Sequence, residues 1–78
     1  MISIRKRGGK HENARGRTLG AAARNLAKLL GHHSKTVGVH GGQVVGTSND
    51  GPLMMGSLTR RDRYGTHVIC ECLWTKQD

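Results

Sequence analysis

Apolar residues recur with helical spacing in one segment of the chain, between Thr18 and Gly31. This spacing places them on one side of an α-helix. Thr18 suits the N-cap because its hydroxyl can accept a backbone hydrogen bond, and Gly31 suits the residue that ends a helix. We therefore predict an amphipathic helix whose apolar side packs on a sheet. That side is formed by Leu19, Ala22, Ala23, Leu26, Leu29 and Leu30.

The other apolar residues alternate with polar ones, which is the two-residue period of β-strands. Ile2 and Ile4 predict a short opening strand. After the helix, short apolar runs at 37–39 and 44–45 are separated by the glycine pair 41–42. Because a Gly-Gly pair is typical of two-residue hairpin turns, we predict two strands joined there.

Two further strands are predicted in the C-terminal part of the chain. Turn-forming residues at 48–52 and 60–65 enclose a strand at 53–59 and precede the last strand. One face of the last strand is wholly apolar, so we expect it to meet the helix and Trp74 to be a core residue. That face consists of Val68, Cys70, Cys72 and Trp74.

Together these elements predict an α+β fold made of a single small domain over residues 1–78. One helix packs on a small antiparallel sheet of three to four strands, in the order β-α-β-β-β. Residues 5–17 contain three glycines and almost no apolar side chain. We therefore predict that residues 5–17 are a flexible basic loop or arm within the domain.

Positive charge is concentrated in the N-terminal half of the chain. Residues 1–35 contain nine Lys and Arg against one acidic residue, whereas residues 36–78 contain four of each sign. The formal net charge of +8 therefore arises in the first half. Such a polarised distribution attracts polyanions, of which nucleic acid is one.

The candidate binding residues are basic side chains in three places: the predicted arm, the polar side of the helix, and the turn at 60–65. On the helix, Arg24 and Lys28 lie one turn apart and opposite the apolar side. The full set is Arg5, Lys6, Arg7, Lys10, Arg15, Arg17, Arg24, Lys28, Arg60, Arg61 and Arg63.

These features favour a small basic module that binds DNA or RNA mainly through phosphate contacts. Base-specific recognition is not predicted, because no pair of aromatic residues has the spacing of a stacking platform. The alternative is a small inhibitor or accessory protein of the phage or mobile-element type, as in proteins that block CRISPR effectors. Such a protein would bind an acidic protein or a nucleoprotein complex, and a homodimer is compatible with either hypothesis.

No cofactor, metal site or catalytic site is predicted. The C-x-C and His-His spacings do not match the usual ligand pairs of zinc sites. Acidic residues are few and scattered, so no carboxylate pair is available for acid–base catalysis. Cys70 and Cys72 would lie about 7 Å apart on one strand face, which is unsuitable for a mutual disulfide. We expect both thiols to be reduced.

No membrane partner and no secretory signal are predicted. A membrane span needs roughly 18 apolar residues, and no segment approaches that length. The charged N-terminal residues are not followed by the hydrophobic region of a signal peptide. From these features and the expected reduced thiols, we predict a cytoplasmic protein.

Overall fold

A computed structural model of the chain describes residues 1–9 and 12–76. In these residues, five strands and one helix follow one another along the sequence. They are β1 (Ile2–Lys6), β2 (Ala14–Gly16), α1 (Leu19–Leu29), β3 (Val37–Ser48), β4 (Gly51–Asp62) and β5 (Gly65–Lys76). The α+β class with one helix and an antiparallel sheet is therefore confirmed.

The five strands form one sheet in the order β2-β1-β5-β4-β3, and every neighbouring pair is antiparallel. The N-terminal strand β1 lies between β2 and the C-terminal strand β5. The two edges of the sheet differ greatly in length, since β2 has three residues and β3 has twelve. The central strands β4 and β5 also have twelve residues each.

The helix forms as its sequence pattern predicts. The Thr18 hydroxyl accepts a hydrogen bond from the backbone N–H of Ala21 at 3.1 Å, so it acts as the N-cap. Ala22, Ala23, Leu26 and Ala27 are completely buried, and the helix packs mainly on β1, β2 and β3. The C-terminal half of the predicted apolar side is less buried, because Leu29 is 50% exposed.

The small residues on the helix and on β2 let the two backbones approach closely. At Gly16, an added Cβ would lie only 2.3 Å from the backbone nitrogen of Ala22. No side chain fits in that space, so glycine is required where β2 meets the helix. The amide of Asn25 also donates to the carbonyl oxygen of Arg15 at 2.7 Å, which ties the helix to the same strand.

The predicted count of three to four strands is wrong because the structure has five. The strand missing from the predicted order is β2, which lies inside the segment 5–17 that was predicted to be a flexible loop or arm. Arg5 and Lys6, at the other end of that segment, belong to β1. Strand β2 has only three residues with an arginine at its centre, which is too short to show an apolar period. Its strand conformation is instead stabilised by backbone pairing with β1.

The turn predicted at Gly41-Gly42 is also wrong, because β3 continues through both glycines. A register shift between His40 and Gln43 accommodates them as a bulge against β4. Gly41 has a φ of 74°, which suits a bulge as well as a turn. A Cβ on Gly42 would lie 3.4 Å from the Trp74 ring, which is an ordinary contact distance.

The last strand agrees with its predicted pattern at one end only. Cys72 and Trp74 are buried in the core, as expected, and Trp74 is 8% exposed. A register shift next to the Leu58–Cys70 pair changes the facing of the strand, however. Val68 is consequently 63% exposed, and its predicted core position is wrong.

Hairpin connections lie inside both turns predicted at 48–52 and 60–65, but each is shorter than predicted, at 49–50 and 63–64, because β4 extends from Gly51 to Asp62. The first joins β3 to β4, and the hydroxyl of Ser48 both donates to the Gly51 carbonyl and accepts from the Asp50 N–H. The second joins β4 to β5. Its Asp62 carboxylate accepts from the Tyr64 N–H at 2.8 Å.

No helix in the described part of the chain is long and apolar enough to cross a membrane.

Candidate nucleic-acid interface

The sheet has one face covered by the helix and one face without it. Ile4 and Ala14 are paired across β1 and β2 and are buried on the helix side. Their neighbours Ser3 and Arg15 are also paired, and strand alternation turns them to the opposite face. We call this opposite side the helix-free face.

Two arginines of the predicted set lie on the two strands at this edge of the sheet, and a third follows directly after β1. Arg5 lies two residues after Ser3 on β1, so it shares the helix-free face with Arg15. Arg7 extends the pairing with β5, since its backbone N–H donates to the Glu71 carbonyl at 3.0 Å. We call Arg5, Arg7 and Arg15 the arginine row. All three side chains are exposed.

The backbone beneath the arginine row is fixed by hydrogen bonds on both sides. Strand β1 pairs with β2 over residues 2–4 and with β5 over residues 2–6. The Asn25 amide holds the carbonyl of Arg15 from the helix. Alternate residues of a strand lie about 7 Å apart, so Arg5 and Arg7 present charges at a regular spacing.

A groove of about 340 Å³ crosses the helix-free face beside Arg5. Its floor is apolar where Leu53 and Leu73 lie half-buried. Hydroxyl and amide groups surround this floor, and such groups commonly contact phosphate and sugar oxygens. One acidic residue, Asp50, lies at the β3–β4 end. The polar residues of the lining are Ser3, Arg5, Asn13, Thr47, Ser48, Asp50 and Thr75.

The second basic turn lies at the far end of the same sheet. Gly65 at this turn lies roughly 20 Å along β5 from Glu71, the residue next to Arg7, because a strand extends about 3.4 Å for each residue. Alternation along β4 places Arg61 on the helix-free face and Arg60 on the helix side. The guanidinium of Arg63 lies 4.9 Å from the centre of the Tyr64 ring, a cation–π contact at the exposed turn.

The other predicted residues lie elsewhere. Arg24 and Lys28 are exposed on the outer side of the helix, as their spacing predicts, and so are on the opposite side of the molecule from the arginine row. Arg17 is exposed between β2 and the helix. Lys6 is half-buried on the helix side of β1. Lys10 lies outside the residues that the structure describes.

The exposed basic residues are largely free of internal ion pairs. Of the Lys and Arg side chains in residues 1–9 and 12–76, only Arg60 lies within 4.0 Å of a carboxylate, at 3.4 Å from Asp62. Asp62 also contacts His67 at 3.1 Å. The Tyr64 backbone hydrogen bond, with the His67 contact, lowers the pKa of Asp62 below its ordinary value of 3.8. The charges of the arginine row therefore remain available to an external anion.

The histidines and cysteines do not form a ligand cluster in the described ranges, where no three His, Cys, Asp or Glu side chains are grouped to hold a metal ion. Both cysteines are free thiols, as expected. Burial raises the pKa of Cys70, and burial beside Cys70 and Glu71 raises that of Cys72 to about 12. Both groups therefore keep their protons at neutral pH.

Sequence reasoning did not identify the groove residues that accompany Arg5. Ser3 and Thr75 are paired across β1 and β5, and Leu73 pairs with Arg5. The alternation of the first strand indicates that Ser3 and Arg5 share a face. The partners on β5 depend on a pairing between the two ends of the chain, which no local pattern indicates.

Comparisons of the chain with protein-family models, with curated proteins and with solved structures find no match. The interface is therefore defined by its own residues: the arginine row, the groove beside it, and Arg61 at the far end of the helix-free face.

Proposed function

We propose that this protein binds nucleic acid through the phosphate backbone, with the helix-free face as its principal binding surface. The observation that carries the proposal is the arginine row: two exposed arginines on paired strands and a third directly after β1, without a carboxylate partner in the described chain. Arginine contacts phosphate through a fork of N–H donors, and each contact releases counterions from the nucleic acid.

The sheet supports this surface better than the helix does. On the helix, Arg24 and Lys28 are exposed on the outer side, away from the groove and its polar residues. On the sheet, Arg5 lines the groove together with the half-buried Thr75 and the buried Ser3. A phosphate at Arg5 would thus have both charged and neutral donors within reach.

Binding is expected to depend little on base sequence. The face offers no exposed aromatic platform, because Trp74 is buried and Tyr64 is stacked with Arg63 at the distant turn. Three phosphate contacts give a salt slope of about −2.7 for a duplex, which corresponds to a loss of roughly 40-fold in affinity between 50 and 200 mM salt.

Fluorescence anisotropy with labelled duplex DNA, duplex RNA and single-stranded DNA tests the proposal. The protein should first be freed of co-purifying nucleic acid by nuclease treatment. At about 50 mM KCl, we expect binding to unrelated sequences with affinities within about tenfold of one another. Absence of binding to all three probes would refute the proposal and favour the alternative in which the basic surface binds an acidic protein.

A further inference from the structure

The long edge strand β3 is the least protected part of the sheet. Strand edges carry unpaired N–H and C=O groups, and proteins commonly shield them by shortness, charge, coverage or β-bulges; of these, β3 has the bulges at its two register shifts. The other edge, β2, has three residues with Arg15 at its centre. In contrast, β3 has twelve residues and contains no Lys, Arg, Asp or Glu.

Apolar side chains accompany the exposed backbone of this edge. Residues 41–45 are exposed without interruption. Val44 is 64% exposed and Val45 is 45% exposed. A register shift between Val44 and Gly46 leaves Val45 as an extra residue opposite β4, so two adjacent valines lie at the edge. Neither contributes to the core.

We propose that β3 pairs with β3 of a second copy of this chain, joining the two sheets into one antiparallel sheet of a two-fold symmetric dimer. In such a pairing the same segment of the two copies lies side by side, so a charge on this segment would lie near the same charge of the other copy. An uncharged segment can do this without like-charge repulsion. The exposed valines would gain burial in the same contact.

The distribution of charge favours a second copy at this edge over the other unpaired segments. The arginine row lies at the β2–β1 edge, so pairing through β3 keeps the basic rows of the two copies at opposite ends of the joint sheet. Pairing through β2 would bring the two Arg15 side chains together. Residues 65–70 of β5 extend beyond β1, but Arg61, Arg63 and Arg7 lie close to them along the sheet.

The dimer would place both helix-free faces on the same side of the joint sheet, because the two-fold axis of an antiparallel strand pair is perpendicular to the sheet. The proposal does not depend on nucleic-acid binding. Its interface is limited to one strand and its neighbours, which corresponds to the smaller class of interfaces. We therefore expect a dissociation constant of roughly 10 µM.

Sedimentation velocity of nuclease-treated protein tests for the dimer. The protein concentration should range from about 5 to about 500 µM, which brackets the expected dissociation constant. At about 0.3 M KCl, charge repulsion is largely screened. We expect the mass to rise from the 8.5 kDa of one chain toward twice that value. A mass of one chain at all concentrations would refute the proposal, as would growth into open-ended aggregates.

Two variants locate the interface, and a third is their control. We expect Val45→Lys and Val44→Lys each to weaken dimer formation about tenfold or more, because each variant places two like charges, one from each copy, close together in the same pairing. Both side chains are exposed, so circular dichroism should show a folded protein. The control, Val68→Lys, introduces the same charge at a similarly exposed valine on β5 and should dimerise normally.

Either of two variant results would overturn the assignment to β3: dimers that persist in both β3 variants, or dimers lost in Val68→Lys alone. Amide hydrogen exchange gives an independent readout on the unmodified chain. The outward-facing amides in residues 43–48 should exchange more slowly as concentration rises, whereas protection that is independent of concentration there would contradict the pairing.

Discussion

Replacement of Gly16 by alanine tests whether β2 and the helix are packed as closely as the structure has them. The new Cβ would lie 2.3 Å from the Ala22 nitrogen and 2.8 Å from the carbonyl carbon of Ala21. Ordinary contacts at a Cβ begin at 3.4 Å, so the backbones must separate by about 1 Å. The obstacle is helix backbone, which cannot change rotamer.

The magnitude follows from the cost of overpacking. Forced backbone shifts in a packed core cost about 1–3 kcal/mol. Alanine restores roughly 0.5–1 kcal/mol that glycine loses in conformational entropy. We therefore expect Gly16→Ala to lower the free energy of unfolding by about 1 kcal/mol, which corresponds to a fall in Tm of roughly 4–8 °C for a domain of this size.

Urea unfolding followed by the fluorescence of Trp74 measures this change, since the side chain is buried in the native core. Gly38→Ala is the matched control, because Gly38 is in a strand and a Cβ there meets nothing within 4 Å. We expect the control to be as stable as the parent chain or slightly more stable. If the Gly16 variant were as stable as the control, the close approach of β2 to the helix would be refuted.

Two further predictions concern the helix cap and the buried thiol. Thr18→Ala removes the acceptor for the Ala21 N–H and should cost about 1 kcal/mol of unfolding free energy in the same urea assay, whereas Thr18→Ser should cost much less; equal loss in both would exclude the cap. Burial raises the pKa of Cys72 to about 12 in the folded chain, whereas the thiol of the unfolded chain has its ordinary pKa of 9.0. Its contribution to stability is therefore complete below pH 9.0 and is lost as the pH rises from 9.0 toward about 12. Urea unfolding between about pH 8 and 10.5 should show a steeper decline for the parent chain than for Cys72→Ala, and parallel declines would contradict this.

The helix is the element that the sequence pattern predicts best, because its determinants are local. The stripe from Leu19 to Leu30 sets its period, and the Thr18 hydroxyl marks its start. Strand β2 could not be predicted, because its order comes from pairing with β1 and from contact with the helix. The glycine pair at 41–42 shows a second limit of prediction from sequence, because a Gly-Gly pair suits both a hairpin turn and a bulge. In the structure it forms a bulge, and the Trp74 ring lies beside Gly42.

The candidate interface was predictable in composition and not in geometry. A count of charges identifies Arg5, Arg7 and Arg15 as candidates, and the alternation of β1 separates Arg5 from Lys6. That Arg15 joins Arg5 on one face depends on the pairing of β2 with β1. The division of Arg60 from Arg61 likewise becomes clear only when β4 is continuous through both residues and Asp62 pairs with Arg60.

The most direct test of the helix-free face is the salt dependence of duplex binding in two variants of equal net charge. One variant replaces the arginine row by Arg5→Gln, Arg7→Gln and Arg15→Gln. The other replaces exposed charges on the helix and on the segment that follows it by Arg24→Gln, Lys28→Gln and Lys35→Gln. Each loses three positive charges, so a general effect of net charge would be the same in both.

The quantity to compare is the slope of log affinity against log salt concentration. We predict that loss of the arginine row reduces the magnitude of the slope by about 2.7, which is the contribution of three phosphate contacts, whereas the second variant keeps nearly the slope of the parent chain. Equal reductions in the two variants, or a larger reduction in the second, would contradict the helix-free face as the principal nucleic-acid-binding surface.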